Sequence, residues 1–126
     1  MQEEEGWRRY CAWPENALEG NSVELLPGGE EAFSAMKAAI AAARERVLLE
    51  FYIFSDDAAG REFGELLKRK AAGGVGVYLV YDSVGSILTD RDFFLELAAA
   101  GVHVAELRPV IFWQPYWNWI TRDHRK

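Results

Sequence analysis

At 126 residues, half of them apolar and 27% charged, the chain is long enough for one domain with a sizeable buried core. Its single cysteine, Cys11, excludes an internal disulfide framework and has no neighbours with metal-ligand spacing. No apolar run approaches the roughly 20 residues that span a bilayer, and the start MQEEEGWRRY lacks the basic-then-apolar order of a signal peptide. A cytoplasmic chain that meets membranes only from the surface is the expectation.

The net charge of −6 hides an asymmetry. Residues 1–31 hold eight carboxylates against Arg8 and Arg9, whereas acids and bases balance over the rest of the chain. The end is basic, with Arg108, Arg122, Arg125 and Lys126 against Asp123.

Residues 1–21 read as a polar lead-in whose Trp7, Tyr10 and Trp13 could dock on the body, and residues 22–126 as one domain. Ser22–Leu26 is a short strand candidate closed by Pro27-Gly28-Gly29. A helix follows, with Phe33, Met36, Ile40, Ala43 and Val47 at three- and four-residue steps. Val47–Phe54 (VLLEFYIF) has the near-continuous apolar pattern of a strand buried on both faces.

The pattern then repeats. Asp56 or Asp57 can cap a second helix with Phe63, Leu66, Leu67 and Ala71 inward and Gly73-Gly74 at its end. Val75–Tyr81 is the next buried strand. Thr89 or Asp90 can cap a third helix with Phe93, Phe94 and Leu97 inward and Gly101 as its stop, and Val102–Leu107 is the third strand. Strands alternating with helices of about 12 residues predict an α/β fold with a mostly parallel β-sheet flanked by helices. The aromatic run Ile111–Ile120 (IFWQPYWNWI) breaks the pattern, and TRDHRK after it reads as the start of another strand.

In a strand the side-chain period is two, so His124 and Lys126 share a face and Arg125 takes the other. A neutral imidazole can attack phosphorus, and an ammonium beside it can hold the equatorial oxygens. H-x-K alone is short enough to be no more than a solvated basic terminus.

TRDHRK resembles the opening of the H-x-K-x-x-x-x-D motif of the phospholipase D superfamily, in the form seen in bacterial cardiolipin synthases. The resemblance runs in order from Gly20 to Lys126. It takes in GNSVELLPGGEEAF, LLEFYIFSDDAAGREFGELL, the strand and turn GVGVYLVYDSVGS, and LAAAGVHVAELRP. Without an apolar segment at its start, the chain is more like the shorter, B-type synthases. The resemblance implies the first phospholipase D-like domain, incomplete at its C-terminal end, of a two-motif phosphatidyltransferase. The motif's aspartate and a second H-x-K motif would belong to a C-terminal half outside these 126 residues.

By that resemblance His124 is one of two histidines serving as nucleophile and general acid, and Lys126 binds phosphate. The implied reaction moves a phosphatidyl group between phosphatidylglycerol molecules through a phosphohistidine and releases glycerol, with no metal and no cofactor. The 126 residues alone would be inactive. The expected partners are anionic phospholipid at the cytoplasmic face of the bacterial inner membrane and the C-terminal half, not nucleic acid. A nuclease or phosphodiesterase of the same superfamily is the nearest alternative, although no basic stripe lies outside residues 107–126. A non-catalytic α/β binding module is the alternative from another class.

Four further features carry readings of their own. Asp82 ends a predicted parallel strand, where ligands of open α/β sheets bind, so Asp82 and Ser86, with Arg122, could line the substrate phosphate. Asp82 could equally be a turn aspartate, with Gly85 supplying positive φ. Glu50, in an apolar run, is expected to pair with a histidine or arginine rather than to sit at an edge. His103 is expected to be structural, and no metal-ligand spacing joins it to His124. The aromatic segment fits two roles, a core or inter-half contact and a membrane contact.

Overall fold

The structure, a computed structural model, describes residues 20–109. Three helices and three strands alternate within it: α1 (Gly29–Ala42), β1 (Arg46–Phe51), α2 (Ala58–Ala72), β2 (Gly76–Asp82), α3 (Arg91–Ala99) and β3 (His103–Leu107). The strands lie in the order β1-β2-β3, all parallel, with Val47 opposite Val77 and Leu79 opposite Val104. The α/β class and the parallel sheet are as expected.

The helix boundaries follow from local chemistry. Asp57 caps α2, its Oδ1 accepting the N–H of Gly60 at 2.8 Å, and Asp90 caps α3 by accepting from the N–H of Asp92 at 3.0 Å. Gly28 caps α1 without a side chain, and Glu30 and Glu31 place negative charge in its first turn. Gly74 and Gly101, at φ +84° and +93°, carry the chain out of α2 and α3 in the left-handed region that glycine takes at least cost.

One core holds the pieces together. Leu67, Leu79, Leu97 and Val77 are fully buried, with Phe54, Phe63, Phe93 and Phe94 packed around them. Burying each leucine contributes about 1.5–3 kcal/mol. Phe33 of α1 meets Phe63 of α2 edge to face at 5.6 Å. A Cβ on Gly64 of α2 would stand 3.2–3.3 Å from Leu97 and Phe93 of α3, so that glycine allows close helix approach. At the surface Arg61 joins Asp56 of the preceding loop to Glu96 of α3, and Lys68 joins Glu65 to Glu96. The hydrogen bond to Asp56 raises the Arg61 pKa, and the hydrogen bond from Lys68 holds the Glu96 carboxyl below its ordinary value.

Four expectations need correction. The strands are not buried on both faces. Val47, Leu49 and Phe51 belong to the core, as do Val77, Leu79 and Tyr81, while Leu48 and Tyr78 are 67% and 44% exposed. Among the described residues the helices pack on one another and on one side of the sheet, and the other side is open. Glu50 lies on that open side, exposed and with no ion pair among the described residues, so burial imposes no partner on it. Ser22–Leu26 forms no strand, because it pairs with no sheet edge and leaves Val23 and Leu25 98% and 87% exposed. Val47 begins its work in β1 rather than closing the α1 stripe. The His103 ring stacks on Tyr78 at 4.7 Å on the open side.

Candidate functional site

Parallel strands send all their carboxyl ends the same way, and there the loops 52–57 and 83–90 meet the end of β3. Asp82, the last residue of β2, is 1% exposed. Its Oδ1 accepts the N–H groups of Val84 at 2.9 Å and Gly85 at 3.1 Å, and its carbonyl accepts the N–H of Ser86 at 3.0 Å. The carboxylate thus builds the turn that follows it.

Ser86, 5% exposed, turns its hydroxyl to the neighbouring loop, where Oγ accepts the Phe54 N–H at 3.0 Å. Thr89 donates its hydroxyl to the Phe54 carbonyl at 2.9 Å. Both polar groups of a residue just past β1 are therefore satisfied from the loop after β2. The Phe54 ring lies stacked on Phe93 at 5.8 Å and tilted against Phe51 at 5.6 Å. On the other side, the Ser83 N–H donates to the Leu107 carbonyl at 3.1 Å, the last residue of β3. One loop ties three strand ends together.

Two glycines allow these approaches. A Cβ on Gly85 would stand 2.0 Å from the Tyr52 carbonyl oxygen, and one on Gly60 would stand 1.8 Å from that of Ser55. Gly85 is not in the positive-φ region expected of it; it is glycine because backbone passes too close for any side chain. Thr89, read as a helix cap, instead spans to Phe54, and only the three-dimensional meeting of the loops shows that partner. Beneath the site Tyr81 stacks on Phe94 at 3.7 Å, and burial, with the charge of Glu106 adding to it, raises its phenol pKa.

Asp82 and Ser86 are thus together at this end of the sheet. Arg122, His124 and Lys126 lie outside the described residues, as do Cys11, the aromatic segment and Trp7, Tyr10 and Trp13. Among the described residues no cluster of histidine, cysteine and carboxylate could hold a metal ion, and no helix is long and apolar enough to cross a membrane.

The chain is 39% identical over 109 residues to the cardiolipin synthase A of Pseudomonas fluorescens (strain SBW25). It is 40% identical over 109 residues to that of Pseudomonas entomophila (strain L48), and 37% over 110 residues to that of Pseudomonas syringae pv. syringae (strain B728a). The chain is homologous to bacterial cardiolipin synthases. These alignments cover 86–87% of the chain but 23% of each cardiolipin synthase, so the chain spans about a quarter of the relatives' length. These relatives are named cardiolipin synthase A, and the matches do not decide the leaning toward the B type. That leaning rested on how the chain begins, and a match to a quarter of a longer protein says nothing about what precedes it. No family model matches the chain, and no solved structure does.

Proposed function

We propose that the chain forms part of a cardiolipin synthase that transfers a phosphatidyl group from one phosphatidylglycerol to another and releases glycerol. The homology to cardiolipin synthases carries this reading. In it the His124 imidazole attacks the phosphorus of the first lipid, and the glycerol alkoxide leaves as a second histidine protonates it. The hydroxyl of the second phosphatidylglycerol then displaces His124 from the phosphohistidine, its proton passing to the second histidine. Lys126 and Arg122 hold the phosphate oxygens, whose charge must be balanced as the bond to nitrogen forms.

The turn Asp82–Ser86 borders this phosphate site as its floor. The side chains of Asp82 and Ser86 are engaged with loop backbone, which favours that role over direct contact with the phosphate. The membrane is met peripherally, at the cytoplasmic side, with the aromatic segment and the basic residues after it near the headgroups.

The chemistry asks for two histidines, and the chain's other one, His103, lies on the open side of the sheet beside Tyr78. The 126 residues alone are therefore inactive in this reading. Phosphatidylglycerol vesicles incubated with the full-length gene product should yield cardiolipin, and with the 126 residues none above a protein-free control. Turnover by the 126 residues alone would contradict the two-histidine mechanism, and none by the full-length product would contradict the assignment.

A further inference from the structure

We propose that Ser86 and Thr89 are positioning residues for this phosphatidyl transfer, acting through the backbone of Phe54 to set the loop of residues 52–57 at the carboxyl end of the sheet. The inference rests on the reading that places the reaction at that end.

Phe54 lies beyond β1, where no neighbouring strand can satisfy its peptide groups. Its side chain is 4% exposed, and a buried N–H or C=O left unpaired costs about 1–3 kcal/mol. Two hydroxyls, 32 and 35 residues further along the chain, meet those two groups. Side-chain hydroxyls do this where a backbone pairing would have extended the sheet, so the loop is held without becoming a strand. The same loop presses Gly85 against Tyr52 and donates from Ser83 to Leu107. It therefore fixes the 52–57 loop relative to the end of β3, from which the chain continues toward Arg122, His124 and Lys126. Displacing a reacting group by about 1 Å can cost on the order of 100-fold in rate. The Ser86 hydroxyl accepts from the Phe54 N–H, and the Thr89 hydroxyl donates to the carbonyl of the same residue.

The test uses the full-length protein that contains this chain, with phosphatidylglycerol vesicles as substrate. Thr89→Val removes a hydroxyl at nearly constant shape, Ser86→Ala removes the other, and Thr89→Ser keeps the hydroxyl. Amide hydrogen exchange in residues 52–57 and steady-state kinetics are measured on each. Expected are exchange at least about tenfold faster in Thr89→Val and Ser86→Ala, kcat at least about tenfold lower, and KM within about twofold, with Thr89→Ser close to wild type. Faster exchange with unchanged kcat would reduce the pair to a structural role and overturn the proposal. A raised KM at unchanged kcat would make Ser86 or Thr89 a substrate ligand instead, and unchanged exchange would show that the hydroxyls do not hold the loop. If the wild-type protein makes no cardiolipin, the assigned reaction falls and positioning for it falls too, while exchange still reports whether the loop is held. Should Ser86→Ala fail to fold, Thr89→Val carries the same decision.

Discussion

Gly85 and Tyr52 lie so close that a Cβ on residue 85 would stand 2.0 Å from the Tyr52 carbonyl oxygen. The obstacle is backbone, which cannot swing aside as a long side chain can. Gly85→Ala should therefore destabilise the domain by about 1–3 kcal/mol or more, the range for forcing extra atoms into packed space. Gly29→Ala, where a Cβ meets nothing within 4 Å, should cost little or even stabilise α1. Urea unfolding of the two variants checks the contrast. Equal stabilities would mean that the loops do not meet as described.

The one-sided sheet makes a second contrast. Leu97 is fully buried in the helix–sheet core, whereas Leu48 is 67% exposed on the open side. Leu97→Ala should cost about 2–5 kcal/mol, and Leu48→Ala should stay within about 0.5 kcal/mol in the 126-residue chain. Unfolding midpoints decide this, and a large loss at Leu48 would mean that the open side is covered.

Tyr81 gives a pH dependence of known sign. Burial raises its phenol pKa in the folded state, with Glu106 adding to the effect. The folded state thus holds the phenolic proton more tightly than the unfolded one. Its contribution is fully present below the unfolded value of about 10 and is lost as the pH rises through the folded pKa. Absorbance titration at alkaline pH should show a late-titrating tyrosine that Tyr81→Phe removes. Loss of a tyrosine that titrates at the ordinary value of about 10 would contradict the burial.

The aromatic segment makes the membrane contact of the proposed reading. Trp113, Trp117 and Trp119 should shift their emission to the blue on phosphatidylglycerol vesicles, once Trp7 and Trp13 are replaced by phenylalanine. Arg122, Arg125 and Lys126 would add about 1 kcal/mol each near an anionic surface, weakened by salt. Serine at the three tryptophan positions should abolish the shift in a folded chain. Unchanged binding of that variant would remove the segment from the membrane contact.

Much of the fold was legible because helix and strand periods alternate cleanly. The inward sets Phe63, Leu66, Leu67 and Phe93, Phe94, Leu97, the caps Asp57 and Asp90, and the stops at Gly73-Gly74 and Gly101 all fell where periodicity and cap chemistry put them. What misled was the composition of VLLEFYIF. Apolar residues on both faces signal double burial only if both faces are covered, and among the described residues Leu48 and Glu50 face an uncovered side. The place of Asp82 and Ser86, at and just past the carboxyl end of β2, was legible. Its wiring was not, since the Ser86–Phe54 and Thr89–Phe54 bonds join residues more than 30 apart that no local pattern relates.

In the proposed reading His124 does covalent chemistry on phosphatidylglycerol. The direct measurement is cardiolipin formation by the full-length protein carrying His124→Ala, with circular dichroism and unfolding showing an intact fold. The account predicts that the rate falls to less than about a hundredth of wild type, because no other side chain of the motif can form the phosphohistidine. A folded variant that keeps more than that would contradict it.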